Sequence, residues 1–195
     1  MNTIHVLGIA GSLRERSLNR FLLDAARTLA PRGMSIEPFD LAGIPLYNAD
    51  LDADGRRPAD VERFKRAITD ADALLIATPE YNYGVPGVLK NAIDWASRPS
   101  FRSPLAGKPA AIMGASGGAI GTARAQEQLK LTLLATLAPV LPHPAVTVAR
   151  AREKFNADGD LVDAATRDLL AGFLNEFAAW VRRVGVAREG RGADG

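Results

Sequence analysis

The period of apolar and polar positions changes repeatedly along the chain, and each change marks an element. Thr3 to Ala10 is apolar and β-branched and ends at Gly11, the pattern of a buried strand. From Ser17 to about Ala30, Leu18, Phe21, Leu22, Ala25 and Leu29 recur at three- and four-residue spacings, which predicts a helix closed by Pro31, Arg32 and Gly33. Met34 to Phe39 returns to alternation and predicts a second strand; Asp40 to Arg57, with its Pro, Asp and Gly residues, reads as a connection. Pro58 then opens a helix whose inner face carries Val61, Phe64, Lys65 and Ile68. Ala73 to Thr78 is a continuous apolar run, a third strand, and Val85 to about Trp95 is helical. Lys108 to Gly114 and Pro144 to Val148 predict a fourth and a fifth strand around a helix over Ala119 to Leu137. Leu161 to Val184 closes the series as a helix, with Leu169, Leu170, Phe173, Phe177 and Trp180 stacked along one side.

Strands alternating one for one with helices imply an α/β fold, a parallel sheet covered on both faces. A chain of 195 residues is long enough for one sizeable core, here expected as a single domain over residues 1–184. From Gly185 the sequence is rich in Gly and Arg and poor in apolar residues, so 185–195 is expected to be a disordered tail. In such sheets ligands bind beyond the C-terminal ends of the strands, where the strand order switches. The loops after the first, third and fourth strands are therefore the places to search.

Composition narrows the chemistry. Hydrophobic residues make up 47% and charged residues 24%, the balance of a soluble globular protein, and no apolar run is long enough to span a membrane. Met1-Asn2-Thr3-Ile4-His5 reads as the start of a strand and not as a signal peptide, so a cytoplasmic location is expected. The absence of cysteine excludes disulfides, thiolate metal sites, iron–sulfur clusters and a cysteine nucleophile. The only histidines, His5 and His143, are too few for a multi-histidine metal site and are expected to be structural. Redox chemistry on this chain needs a borrowed cofactor. A net charge of +2 gives no argument for nucleic acid.

The three loops hold unusual sequence. The first, Gly11-Ser12-Leu13-Arg14-Glu15-Arg16-Ser17-Leu18-Asn19, is neither a dinucleotide fingerprint nor a nucleotide P-loop. It offers the hydroxyls of Ser12 and Ser17, the amide of Asn19, the guanidinium of Arg14 and a helix N-terminus, a set that can cradle a phosphate monoester. The plainer reading makes Ser17 an N-cap and Arg14 a solvated residue. The second loop, Pro79-Glu80-Tyr81-Asn82-Tyr83-Gly84-Val85-Pro86-Gly87, can lie against a flat heterocycle or be a packed turn. The third, Gly114-Ala115-Ser116-Gly117-Gly118, allows close backbone approach and also matches the Gly-x-Ser-x-Gly nucleophile elbow. A serine hydrolase using Ser116 would need His143 as base and Glu127 as the carboxylate. Glu127, however, falls inside a predicted helix and His143 between two prolines.

Taken together, these loops resemble the NAD(P)H-dependent FMN reductases, in the branch of bacterial quinone and chromate reductases. The similarity runs from about residue 3 to about residue 183 and includes Pro86-Gly87-x-Leu89-Lys90-Asn91-Ala92-Ile93-Asp94-Trp95. It implies a flavodoxin-like three-layer sandwich with a five-stranded parallel sheet in the order 2-1-3-4-5. It implies FMN as cofactor, with Ser12, Arg14, Ser17 and Asn19 on the phosphate. Pro79, Glu80, Tyr81 and Asn82 would meet the isoalloxazine, largely through backbone atoms, and Ser116 and Gly117 would close the other side of the ring. NADPH or NADH would be the co-substrate, with Arg14 or Arg16 holding the extra phosphate of NADPH. Electrons would pass by a ping-pong mechanism to small acceptors such as quinones or chromate, in a homodimer or homotetramer. Lys90, Asn91, Asp94 and Trp95 are expected to have structural or interface roles. A non-enzymatic flavodoxin-like electron carrier is the alternative, and the net positive charge argues against it.

Overall fold

Alternate residues of the first strand are buried in opposite layers, and this period of two organises the molecule. The computed structural model describes residues 3–52, 56–142 and 146–192, the side chains of 186–192 excepted. Strands β1 (Ile4–Ala10), β2 (Met34–Phe39), β3 (Ala73–Ala77), β4 (Ala110–Ala115) and β5 (Val146–Val148) form one parallel sheet in the order β2-β1-β3-β4-β5. The helices are α1 (Leu18–Thr28), α2 (Ala59–Asp70), α3 (Gly87–Ala96), α4 (Ala123–Ala135) and α5 (Ala164–Gly192). Ile4 and Val6 of β1 join a core with Leu22, Leu23 and Ala26 of α1 and Phe173, Leu174 and Phe177 of α5. Leu7 and Ile9 join a second core on the other face, with Phe64 of α2, Trp95 of α3 and Leu129 of α4. Gly8 lets α1 approach the sheet, because a Cβ there would lie 2.9 Å from a Leu23 methyl.

The expected inner face of α2 is buried as a whole, Val61, Phe64, Lys65 and Ile68 alike. On α1 the expected Leu22 is buried and Leu18, Phe21, Ala25 and Leu29 pack half-buried against the same core, with Asn19, Leu23 and Ala26 buried beside them. Helix α4 starts at Ala123 and not at Ala119, because Gly121 takes φ +70 and keeps the chain in a loop until Thr122. Helix α5 starts at Ala164, after Phe155 and Leu161 pair as an antiparallel bridge and Asp163 accepts from the Thr166 N–H at 2.9 Å. It then runs past Val184, the predicted end of the helix, to Gly192. Extending a formed helix over Val186, Ala187, Arg188 and Glu189 fixes one residue per hydrogen bond gained, which a single Gly185 does not prevent. Residues 193–195 and His143 lie outside the described residues. His5 is exposed on β1 near the β2 edge, with Nδ1 3.1 Å from Ser35 Oγ.

Candidate functional site

The strand order reverses between β1 and β3, so the loops leaving these two strands diverge and open a crevice at their C-terminal ends. A cavity of about 350 Å³ lies there, lined by Ser12, Arg14, Ser17 and Asn19 from the first loop, Pro79, Glu80 and Tyr81 from the second, and Ser116 and Gly117 from the third. Loops far apart in sequence thus meet in one place, within the size range of small-molecule sites. A larger hollow of about 600 Å³ lies along the β1–β2 edge beside His5, Ser35 and Glu37, away from this crevice.

The first loop is held from inside. Ser12 and Ser17 are buried, at 4% and 3% exposure. Ser17 Oγ accepts the Asn19 N–H at 3.3 Å and caps α1, so the plainer reading of Ser17 is realised while the residue still lines the cavity. Ser12 Oγ accepts the Arg14 N–H at 3.4 Å and stands 3.4 Å from Tyr81 Oη, which links the first loop to the second. The structure gives the Asn19 side chain a task other than phosphate binding. Its Nδ2 donates to the Ala115 carbonyl and its Oδ1 accepts the Ala115 N–H, both at 2.9 Å, across 96 positions of sequence. This two-bond clamp fastens the start of α1 to the end of β4, directly before Ser116.

Glu80 borders the cavity, but its side chain is engaged elsewhere. Its carboxylate accepts the N–H groups of Arg124 and Ala125 at 3.0 and 3.2 Å and pairs with the Arg124 guanidinium at 3.3 Å. It supplies the charge-matched cap for the N-terminus of α4, where Thr122 makes no side-chain cap. Beyond it, Tyr81 and Gly84 exchange backbone hydrogen bonds of 3.2 and 3.0 Å around Asn82 and Tyr83, at φ +50 and +64. Such a two-residue turn suits Asn and strains Tyr. Tyr83 is held by Arg124, whose guanidinium lies 4.3 Å from the ring centroid, and by Gln128, which donates to its carbonyl at 3.0 Å. Asn82, expected at the ring, is exposed within this turn and is not among the residues lining the cavity.

In the third loop Gly114 is indispensable: a Cβ would lie 2.0 Å from Thr122 Oγ1 and 2.4 Å from the Thr78 carbonyl. Ser116 Oγ accepts the Gly118 N–H at 3.0 Å. Glu127, the carboxylate a hydrolase would need, is exposed on α4 and paired with Lys130 at 2.6 Å, so no triad forms around Ser116 from it. Lys90 and Asp94 pair on the surface at 2.6 Å. Asn91 and Trp95 both donate to the Pro45 carbonyl at 2.8 Å, and Asn91 accepts the Tyr47 N–H, so they fasten the long connection after β2 over α3.

The sequence reasoning missed the fourth wall. Arg152, in a 3-10 turn at Ala151–Glu153 after β5, lines the cavity, as do Arg16 and Phe21. The loop after the fifth strand also leaves the C-terminal edge of the sheet, and the rule that singled out three loops would have reached it. Taken together the residues fit FMN. Buried hydroxyls, a helix N-terminus and arginines suit a phosphate, and Gly117 of the third loop opposite Pro79 of the second leaves room for a flat ring. Among the described lining residues the one carboxylate, Glu80, is turned to α4.

A parallel sheet in this order, with these loops at its switch point, defines a flavodoxin-like, FMN-binding class of oxidoreductase. The chain belongs to the NADPH-dependent FMN reductase family, whose pattern it matches over residues 4–153, and it is an enzyme that pairs FMN with a reduced nicotinamide. It is 54% identical over 181 residues to an NAD(P)H-dependent FMN reductase of Pseudomonas aeruginosa, covering 93% of this chain and 97% of that one. It is 45% identical to a 2-hydroxy-1,4-benzoquinone reductase of a Burkholderia species, over 89% of this chain and 94% of the relative. The solved structure of FerB, a flavoenzyme NAD(P)H:(acceptor) oxidoreductase from Paracoccus denitrificans, superposes with a TM-score of 0.85 at 39% identity, over 93% of this chain and 98% of that one.

Proposed function

We propose that this enzyme binds FMN in the crevice between the β1, β3 and β4 loops and passes electrons from NAD(P)H to quinones, or to related small acceptors such as chromate. The observation that carries the reading is the meeting of a phosphate-type loop with Pro79, Glu80 and Tyr81 in a single cavity at the switch point. The names of relatives that reduce quinones support the acceptor class. Bound FMN would supply the chemistry the side chains lack, taking up a hydride as two electrons and a proton and passing the electrons on. The protein's part is positioning. Ser12 and Ser17 offer hydroxyls, and Arg14 offers a cation, to the phosphate. Glu80 commits its carboxylate to the N-terminus of α4, which neutralises the one acidic side chain bordering the cavity. Asn19 keeps Ala115 and the loop after it in register with α1.

Tyr81 and Gly117 are exposed at the cavity, the side by which donor and acceptor would each reach a bound flavin, in keeping with a ping-pong sequence. We place the enzyme in the cytoplasm as a homodimer or homotetramer; among the described residues no helix is long and apolar enough to cross a membrane. The test begins with the visible spectrum of the purified protein after FMN is added and the excess removed. A retained, perturbed flavin band followed by parallel double-reciprocal lines for NAD(P)H and a quinone is expected. A colourless protein refutes the cavity assignment, and intersecting lines refute the alternation.

A further inference from the structure

We propose that Arg152, carried by the connection between β5 and α5, reads a phosphate monoester in the cavity; the proposal rests on the FMN-site reading above. The connection is stitched to the third loop. The Arg150 N–H donates to the Gly118 carbonyl and the Ala151 N–H to the Ser116 carbonyl, each at 2.9 Å. Arg150 sits in the left-handed region at φ +46, ψ +39, and Ala151 is fully buried, so the turn that delivers Arg152 is over-determined by its surroundings. The side chain then lies against Gly117: a Cβ there would stand 3.3 Å from Arg152 Nε and 3.7 Å from Cδ. The bare glycine makes the space this stem occupies.

The charge around Arg152 has one sign. Arg14 and Arg16 line the same cavity, and Arg16 is anchored by a 2.5 Å bond from Nη2 to the Ala157 carbonyl of the same connection. Among the described residues no carboxylate pairs with Arg152 or Arg14, and Glu80 is committed to the N-terminus of α4. Three guanidinium groups without a counter-charge, beside two buried hydroxyls, call for an anion with several acceptor oxygens. A phosphate monoester carries a charge of about −1.5 to −2 at neutral pH and accepts the planar fork of an arginine. Two molecules bring one to this site, FMN with its 5′-phosphate and NADPH with its 2′-phosphate.

The experiment measures two ratios in the wild type, R152Q and R152K. The first is the Kd for riboflavin over that for FMN with the flavin-free protein, by quenching of flavin fluorescence. The second compares the KM for NADH with that for NADPH in the FMN-loaded enzyme. R152Q is expected to shrink one ratio by about tenfold or more, the scale of a hydrogen bond to a charged group, and R152K to restore part of it. A change in the first ratio names the cofactor as the source of the phosphate, and a change in the second names the donor. Both ratios within twofold of wild type would overturn the proposal, as would equal weakening of FMN and riboflavin with the donor ratio unmoved, which marks a structural role. A wild-type protein that binds neither flavin fails the underlying reading, a result distinct from a retained flavin indifferent to R152Q.

Discussion

Replacing Asn19 by Ala separates two roles for one side chain, phosphate ligand and clamp. In the folded protein the Asn19 amide makes two hydrogen bonds of 2.9 Å to the N–H and carbonyl of Ala115. Asn19 and Ala115 are each 2% exposed, so truncation leaves two backbone groups short of a partner. A lost hydrogen bond costs about 1 kcal/mol net, and an unsatisfied buried group about 1–3 kcal/mol. Ala115 borders the cavity, where water can enter and replace part of the loss. The sum for N19A is therefore about 2–4 kcal/mol. In a domain of this size that lowers the melting temperature by roughly 5–12 °C.

The assay is urea unfolding of the flavin-free protein, followed by FMN titration. A phosphate ligand with no structural task would leave the flavin-free stability within about 0.5 kcal/mol and weaken FMN alone. The clamp predicts the loss before any flavin is added. N19D is the informative companion: it keeps an acceptor for the Ala115 N–H but sets a carboxylate oxygen against the Ala115 carbonyl, so it should not rescue. Flavin-free N19A as stable as wild type would refute the clamp.

Other consequences follow from the same geometry. E80A removes the charged cap of α4 and should cost about 1–2 kcal/mol, with faster hydrogen exchange at the Arg124 and Ala125 amides; unchanged exchange would show that the cap is idle. G114A drives a Cβ against Thr122 and the Thr78 carbonyl and should destabilise by about 3 kcal/mol or more, or not fold. G117A meets only the flexible Arg152 side chain and should fold like wild type; equal damage in a denaturation comparison would contradict the packing. The Asp163 carboxyl is held below the usual carboxylate range, first by the Thr166 hydroxyl, then by the Thr166 N–H and Lys154. A lowered folded-state pKa adds stability at neutral pH that is lost as pH falls through that value. D163N should therefore melt below wild type at neutral pH and converge with it in acid; parallel melting curves across pH would rule this out.

Much of the architecture was written locally. Buried apolar runs and helical spacings are properties of neighbouring residues, so they marked the five strands and the five α-helices, and with them the buried face of α2. Loop composition likewise pointed to the crevice, because glycine, hydroxyl and aromatic residues at strand ends stand out against the apolar runs. The beginning of α4 was not visible this way. Its cap is Glu80, 44 positions earlier, and Gly121 delays it. Nor could the sequence say that Asn19 would hold Ala115, or that Arg152 would lie over Gly117. A lone polar residue in a loop carries no mark of its partner. The partner is chosen by which strands lie side by side, and the order β2-β1-β3-β4-β5 exists only once the sheet is assembled. The sequence by itself determined the elements, the two apolar faces and the kind of ligand the loops could take; the tertiary structure decided which polar groups are consumed in holding those loops and which remain for the ligand.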